Sequence, residues 1–199
     1  MEIGFHGLTV LEEALTGIEA SIVMRLDEVE NRLRRTWPTM MPEPPDEYFE
    51  SLALRDHERI ARWGIYLAAF SDFERSVLSL AGSGRSATEG MRLLGPTVET
   101  HIADWADMYQ RVHSLQGLRN ELAHGGGTLR PQNKRKLLRL IHSGEINPAD
   151  SDYFAWRGEK VIVLTAGAVQ GMVRDLRQVH RVLLRFSKPP TVDSAPPAR

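Results

Sequence analysis

Apolar residues recur at intervals of three and four along most of the chain, and prolines and glycines cut this pattern into segments. From about Thr9 to Trp37 the stripe is Leu8, Leu11, Leu15, Ile18, Ile22, Leu26, Val29 and Leu33. This near-heptad spacing predicts a helix roughly 40 Å long. Thr9 and Glu12 have the spacing of a capping box at its start. Pro38, Pro42, Pro44 and Pro45 end it, so PTMMPEPPDEY reads as a linker or rigid turn. A second helix is predicted from about Asp46 to Ala81, with a candidate interruption near Asp56. Its stripe includes Phe49, Leu52, Ile60, Trp63, Leu67, Phe70, Phe73 and Val77. Gly82, Ser83 and Gly84 close it with residues that tolerate non-helical backbone.

Ser86 with Glu89 is a second capping box, predicted to open a short helix to Leu94, and Gly95-Pro96 is predicted to break it. A further helix is expected from about Thr97 to His124, stopping at Gly125-Gly126-Gly127. Pro131 to His142 then reads as a basic helix. Between Asp152 and Thr165 the period changes. Tyr153–Trp156 and Val161–Leu164, separated by Arg157-Gly158-Glu159-Lys160, predict a small β-hairpin. Thr165 is a candidate cap for a last helix with the stripe Val169, Met172, Val173, Leu176, Val179, Leu183 and Phe186. The expected fold class is therefore all-α: an antiparallel helical bundle, a small β-hairpin before the last helix, and an appended long N-terminal helix. The stripe leaves open whether that helix packs on its own bundle or on a second subunit. The chain divides into residues 1–45 (helix and proline-rich joint), 46–187 (helical domain) and 188–199, a proline-rich tail expected to be disordered.

Composition narrows the chemistry. The chain of 199 residues is long enough to bury a core without staples, and holds one domain or two small ones. It has no cysteine, which excludes disulfides, thiolate zinc sites, iron–sulfur clusters and a cysteine nucleophile. The formal net charge is −1, which excludes a globally basic coat but not a local basic patch. No run approaches the ~18 apolar residues of a membrane span, so no membrane partner is expected. The N-terminus is acidic and lacks a basic region before an apolar run, so no signal peptide is expected and the cytoplasm is the default location.

The most informative segment is Leu118-Arg119-Asn120-Glu121-Leu122-Ala123-His124-Gly125-Gly126. At ~100° per residue, Met108, Val112, Leu115, Leu118 and Leu122 form one apolar stripe. Asn120 and His124 lie roughly opposite it, while Arg119 falls within it. A buried guanidinium is costly unless paired. Glu74 falls inside the apolar stripe of the second helix, so a Glu74–Arg119 contact across the bundle is expected. The alternative is that both charges reach solvent from the stripe edges. His124 sits at a helix C-terminus, whose partial negative charge favours imidazolium. Histidine moves protons, arginine stabilises charge on phosphate oxygens, and asparagine orients a hydroxyl. Residues five apart splay ~140° around a helix, so a compact site is expected from two copies in a symmetric dimer. The plainer reading is a surface histidine near a helix end.

Arg119-Asn120-Glu121-Leu122-Ala123-His124-Gly125 resembles the Arg-x4–6-His motif of the HEPN (higher eukaryotes and prokaryotes nucleotide-binding) superfamily. An asparagine follows the arginine and small residues follow the histidine, as in that family. The resemblance spans about Asp46 to Ser187. It implies a metal-independent endoribonuclease without cofactor, acting as a homodimer with a composite site. In such a site a 2′-hydroxyl attacks the adjacent phosphate, leaving a 2′,3′-cyclic phosphate and a 5′-hydroxyl. Carried over by position, His124 is the acid or base, Arg119 the phosphate stabiliser and Asn120 a positioning group. Glu74 resembles an acidic residue of the family's first core helix. Toxin or phage-defence roles, with an antitoxin protein as partner, are common in the family, and some members are non-catalytic nucleotide-binding, RNA-binding or interaction modules. Some HEPN toxins carry a tyrosine two residues after the histidine, where a partner modifies it. Here that position is Gly126, which removes that scheme.

Charge placement agrees with an RNA partner. From Arg111 to Arg139 seven basic residues face one acid, Glu121, and Arg130, Lys134, Arg135 and Lys136 are candidate RNA contacts. Arg174, Arg177, Arg181 and Arg185 add to this in the last helix, opposed by Asp175, whereas the first 45 residues hold eight acids against four arginines. A solvated polar face explains the same pattern. His101, His113, His142 and His180 lack metal-ligand spacing, and no phosphate-binding glycine motif is present. Trp63, Trp105 and Trp156 read as packing residues rather than base-stacking platforms, and Gly82–Ser86 as a plain helix–helix loop rather than a phosphate-holding helix start. The rival readings are a non-catalytic HEPN-like module and an unrelated helical adaptor.

Overall fold

The computed structural model describes residues 6–36, 46–129, 131–150, 160–165 and 167–187. They form helices α1 (His6–Thr36), α2 (Asp46–Ala81), α3 (Ala87–Val98), α4 (Trp105–His124), α5 (Pro131–His142) and α6 (Ala168–Ser187). Strands β1 (Ile146–Asp150) and β2 (Lys160–Leu164) lie between α5 and α6. The fold is all-α with one small antiparallel two-stranded sheet before the last helix. The joint at 37–45, the tail from 188, Trp156 and the expected strand Tyr153–Trp156 lie outside the described residues.

The core gathers where the stripes of α2, α3, α4 and α6 meet. Tyr66, Phe70, Phe73 and Val77 of α2 are fully buried against Met91 of α3, Leu115 and Leu118 of α4, and Met172 and Leu176 of α6. At the other side Leu137 and Leu140 of α5 close on Ile162 of β2 and Ile146 of β1. Burying one such side chain contributes about 1.5–3 kcal/mol, so this cluster dominates the fold's stability.

Helix α2 is continuous through Asp56, and at 36 residues it is ~54 Å long. That exceeds the bundle, and its N-terminal part packs along α1. Val29 of α1 is fully buried, but the rest of the contact is edged by ion pairs: Arg25 and Arg32 with Glu50, at 2.9 and 3.0 Å, and Arg55 with Glu30 at 2.6 Å. The N-terminal helix thus packs on α2 of its own chain.

Local features depart from the pattern-based expectation at several points. Thr9 lies inside α1 rather than capping it. Pro96 does not break α3, which runs to Val98. Gly95 has no Cβ to clash with the proline ring, and the carbonyl left without a donor belongs to solvent-exposed Arg92. The chain then bends through a 3₁₀ turn at Glu99–His101, and α4 starts only at Trp105, whose buried ring seats beside Gly95. Thr165 does not cap α6; its hydroxyl donates to the Gly144 carbonyl at 2.9 Å and ties β2 to the end of α5. The strand pairing with β2 is Ile146–Asp150, in register Ile146↔Leu164 to Asp150↔Lys160. Pro148 fits there because a proline is tolerated in an edge strand, and among the described residues β1 has a partner on one side only.

The second side of β2 receives the chain that follows α4. The Leu129 amide donates to the Lys160 carbonyl and the Ile162 amide to the Gly127 carbonyl, both at 2.8 Å. From α2, Trp63 Nε1 donates to the Ile162 carbonyl at 3.1 Å and Arg62 Nη1 to the Leu164 carbonyl at 2.9 Å. The end of α4 is therefore fastened, through β2, to the middle of α2.

Candidate active site

His124 ends α4, and its backbone exit is shaped by the glycines. The Gly125 and Gly127 amides both donate to the Glu121 carbonyl, at 2.9 and 3.1 Å, which closes the helix end. Gly127 has φ 74°, and a Cβ there would stand 1.9 Å from the Trp63 ring. Only glycine turns the chain at this point while α2 lies so close. The same turn covers Glu121, whose side chain is buried with Oε2 3.3 Å from where a Gly125 Cβ would be. Sequence reasoning gave Glu121 no role beyond its charge, since its phase lies outside the apolar stripe.

Arg119, Asn120 and His124 meet within one chain. Arg119 Nη1 donates to Asn120 Oδ1 at 3.0 Å and lies 3.2 Å from His124 Nε2. A guanidinium only donates, so Nε2 stands on the acceptor side of this contact. The expected splay of the two residues is thus overcome: the Cα positions diverge, but the long arginine side chain spans the gap. Asn120 and His124 are solvent-exposed, and Arg119 is about one-quarter exposed.

Glu74 approaches the same arginine from α2. Its Oε2 is 3.9 Å from Arg119 Nη2, and its Oε1 accepts from the Ala87 amide at 3.1 Å. The carboxylate thus caps α3 and faces Arg119 at once. Around it, Ser86 Oγ accepts from the Glu89 amide at 3.3 Å, and Gln116 Oε1 accepts from the Thr88 amide at 3.0 Å. The Arg85 amide, not that of Ser86, donates to Glu89 Oε2 at 2.8 Å, a capping box shifted by one residue. Gln116 had no distinguishing signal in the sequence, because its partner is a backbone amide.

Lys134, Arg135 and Lys136 are exposed on α5. That helix crosses α4 at Gly117, where a Cβ would come within 3.5 Å of Lys136 Cβ. Gly117, Asn120 and His124 are at i, i+3 and i+7, so α5 and the candidate residues adjoin the same face of α4. Arg130 lies outside the described residues. Trp63 and Trp105 pack within the fold as expected. Among the described residues no three His, Asp or Glu side chains cluster in a way that could hold a metal ion.

Chemically, the cluster offers an imidazole that can carry a proton, a guanidinium for an anionic oxygen and an amide for a hydroxyl. It lies at an exposed helix end. No family model matches the chain, and neither the curated proteins nor the solved structures give a match.

Proposed function

We propose that the protein is a metal-independent endoribonuclease of HEPN type, cleaving RNA at a composite Arg/His site formed between two copies of the chain. The observation that carries this reading is the convergence of Arg119, Asn120 and His124 on one another at an exposed helix end. His124 Nε2 takes the proton of the RNA 2′-hydroxyl. The oxygen attacks phosphorus, the bond to the 5′-oxygen breaks, and a 2′,3′-cyclic phosphate forms. The leaving 5′-oxygen receives a proton from the partner subunit's His124. Arg119 stabilises the negative charge that builds on the phosphoryl oxygens, and Asn120 orients the hydroxyl. Glu74 holds Arg119 from behind. A phosphate drawing the Arg119 guanidinium towards itself releases His124 Nε2 for the proton. The exposed lysines and arginine of α5 supply attraction for the substrate backbone. A toxin or defence role, with an antitoxin protein as partner, follows from the same reading.

One specific observation favours a second reading. Among the described residues the contacts of Arg119 reach one histidine, and acid–base cleavage calls for two proton carriers. A chain that does not pair would be an RNA-binding module without turnover. The test is incubation of transfer, messenger and ribosomal RNA with purified protein in excess EDTA, beside His124→Ala, with analysis of product ends and of mass in solution. Cyclic-phosphate products from a dimeric wild type, lost in the folded variant, are expected. Cleavage that persists in His124→Ala contradicts the assignment.

A further inference from the structure

We propose that the outer face of α6, with the His101–Phe186 ring stack at its end, is a track for single-stranded RNA, separate from the Arg119 site. The inference rests on the reading of RNA as the substrate. Arg174, Arg181 and Arg185 are exposed and fall within ~40° of one another around the helix, opposite the buried Leu176 and Leu183. Arg177 lies at the edge of the same face. From Arg174 to Arg185 the row spans ~16 Å. Arg174 and Arg181 make no ion pair with a described residue. The acid of this helix, Asp175, is turned away from the row and lies 2.7 Å from Arg111 Nη2.

A row of arginines alone attracts any polyanion. The end of the row adds a flat surface. His101, exposed in the 3₁₀ turn, stacks nearly parallel on Phe186, with ring centroids 5.3 Å apart and planes at 14°. The Arg185 guanidinium lies 5.3 Å over the same Phe186 ring. Planar groups beside a cationic row bind unpaired bases by stacking while the row follows the phosphates. A duplex hides its base faces and gains from the arginines alone.

The test uses the full-length protein and a labelled 2′-O-methyl RNA strand of roughly 12 nucleotides, which lacks the attacking hydroxyl and so reports binding without cleavage. Fluorescence anisotropy across a salt series is read for wild type, Arg174→Ala/Arg181→Ala and His101→Ala. The double variant is expected to flatten the salt slope by about 0.7 for each arginine removed. His101→Ala is expected to weaken the single strand about tenfold and leave a duplex of the same sequence unchanged. An unchanged slope in the double variant overturns the track. Equal affinity for duplex, or for polyglutamate, overturns the single-strand assignment. Failure of the cleavage reading shows separately, as turnover insensitive to His124→Ala. Loss of the track shows as weakened binding with that sensitivity intact.

Discussion

Helix α4 carries two arginines eight residues apart, and their surroundings differ in kind. Arg111 is saturated by acids. Its Nε donates to Asp175 Oδ2 at 2.8 Å, its Nη1 to Glu145 Oε2 at 2.7 Å, and its Nη2 also reaches Glu145. Ser143 Oγ donates to Glu145 Oε2 at 2.7 Å, so the network joins α4, the α5–β1 turn and α6. Burial works against the charge on Arg111, but its hydrogen bonds to Glu145 and Asp175 and the charges of those carboxylates outweigh it and hold the guanidinium pKa above its usual value. Arg119 instead has, among the described residues, one carboxylate, at 3.9 Å, and directs Nη1 at an amide and an imidazole, Asn120 and His124. The first arginine has its charge matched and serves the fold. The second has its charge less closely matched and lies beside an exposed imidazole.

The contrast is sharpest for activity. Arg119→Ala should lower RNA cleavage by about 10²–10³-fold while changing stability by under ~1 kcal/mol, because the pair with Glu74 is long and partly solvated. Initial rates in EDTA and urea unfolding measure both. The next effect runs in the opposite direction. Arg111→Ala strands Glu145 in a partly buried position and should cost about 2–3 kcal/mol of stability, seen as a lower urea midpoint, with cleavage per folded molecule unchanged. Glu74→Gln removes the charge facing Arg119 but keeps an acceptor for the Ala87 amide. It should cost about 1 kcal/mol or less, while a several-fold change in cleavage would show that Glu74 positions the arginine.

The smallest effect is in pH. Burial raises the Glu145 pKa, yet hydrogen bonds from Arg111 and Ser143 prevail and lower it below the ordinary carboxylate value of 4.5. A depressed carboxylate contributes its stability above the unfolded-state pKa and loses it as pH falls through the folded value. The stability gap between wild type and Glu145→Gln should therefore be full at neutral pH and close below about pH 4.5. Chemical unfolding at stepped pH measures it, and a gap constant down to about pH 3 contradicts the network's role.

The helices were legible because their stripes have a 3.6-residue period and most of their breaks carry proline or glycine. The charges of Glu74 and Arg119 were legible for a related reason: each stands inside an apolar stripe, and opposite charges on facing stripes seek each other. What escaped was decided by three-dimensional contact. β1 contains Asn147-Pro148, a turn-like pair that sequence alone does not assign to a strand, and β2 recruits it from one side. Pro96 stays helical because Gly95 makes room. Gly127 is read in sequence as a helix stop, whereas the Trp63 ring beside it is visible only in the fold. The meeting of Arg119 with His124 escaped because backbone phase separates them and side-chain length rejoins them. The stripe of the N-terminal helix leaves its packing partner open, because an apolar stripe does not name the surface it covers; α1 lies along α2 of the same chain.

The most direct measurement is a paired one: RNA cleavage in EDTA by Arg119→Ala and Arg111→Ala at matched concentrations of folded protein, with urea unfolding of both. Arg119→Ala is expected to lose cleavage and keep its stability, while Arg111→Ala loses stability and keeps cleavage. Retained cleavage in folded Arg119→Ala, or equal loss in both variants, would contradict the division of roles along α4.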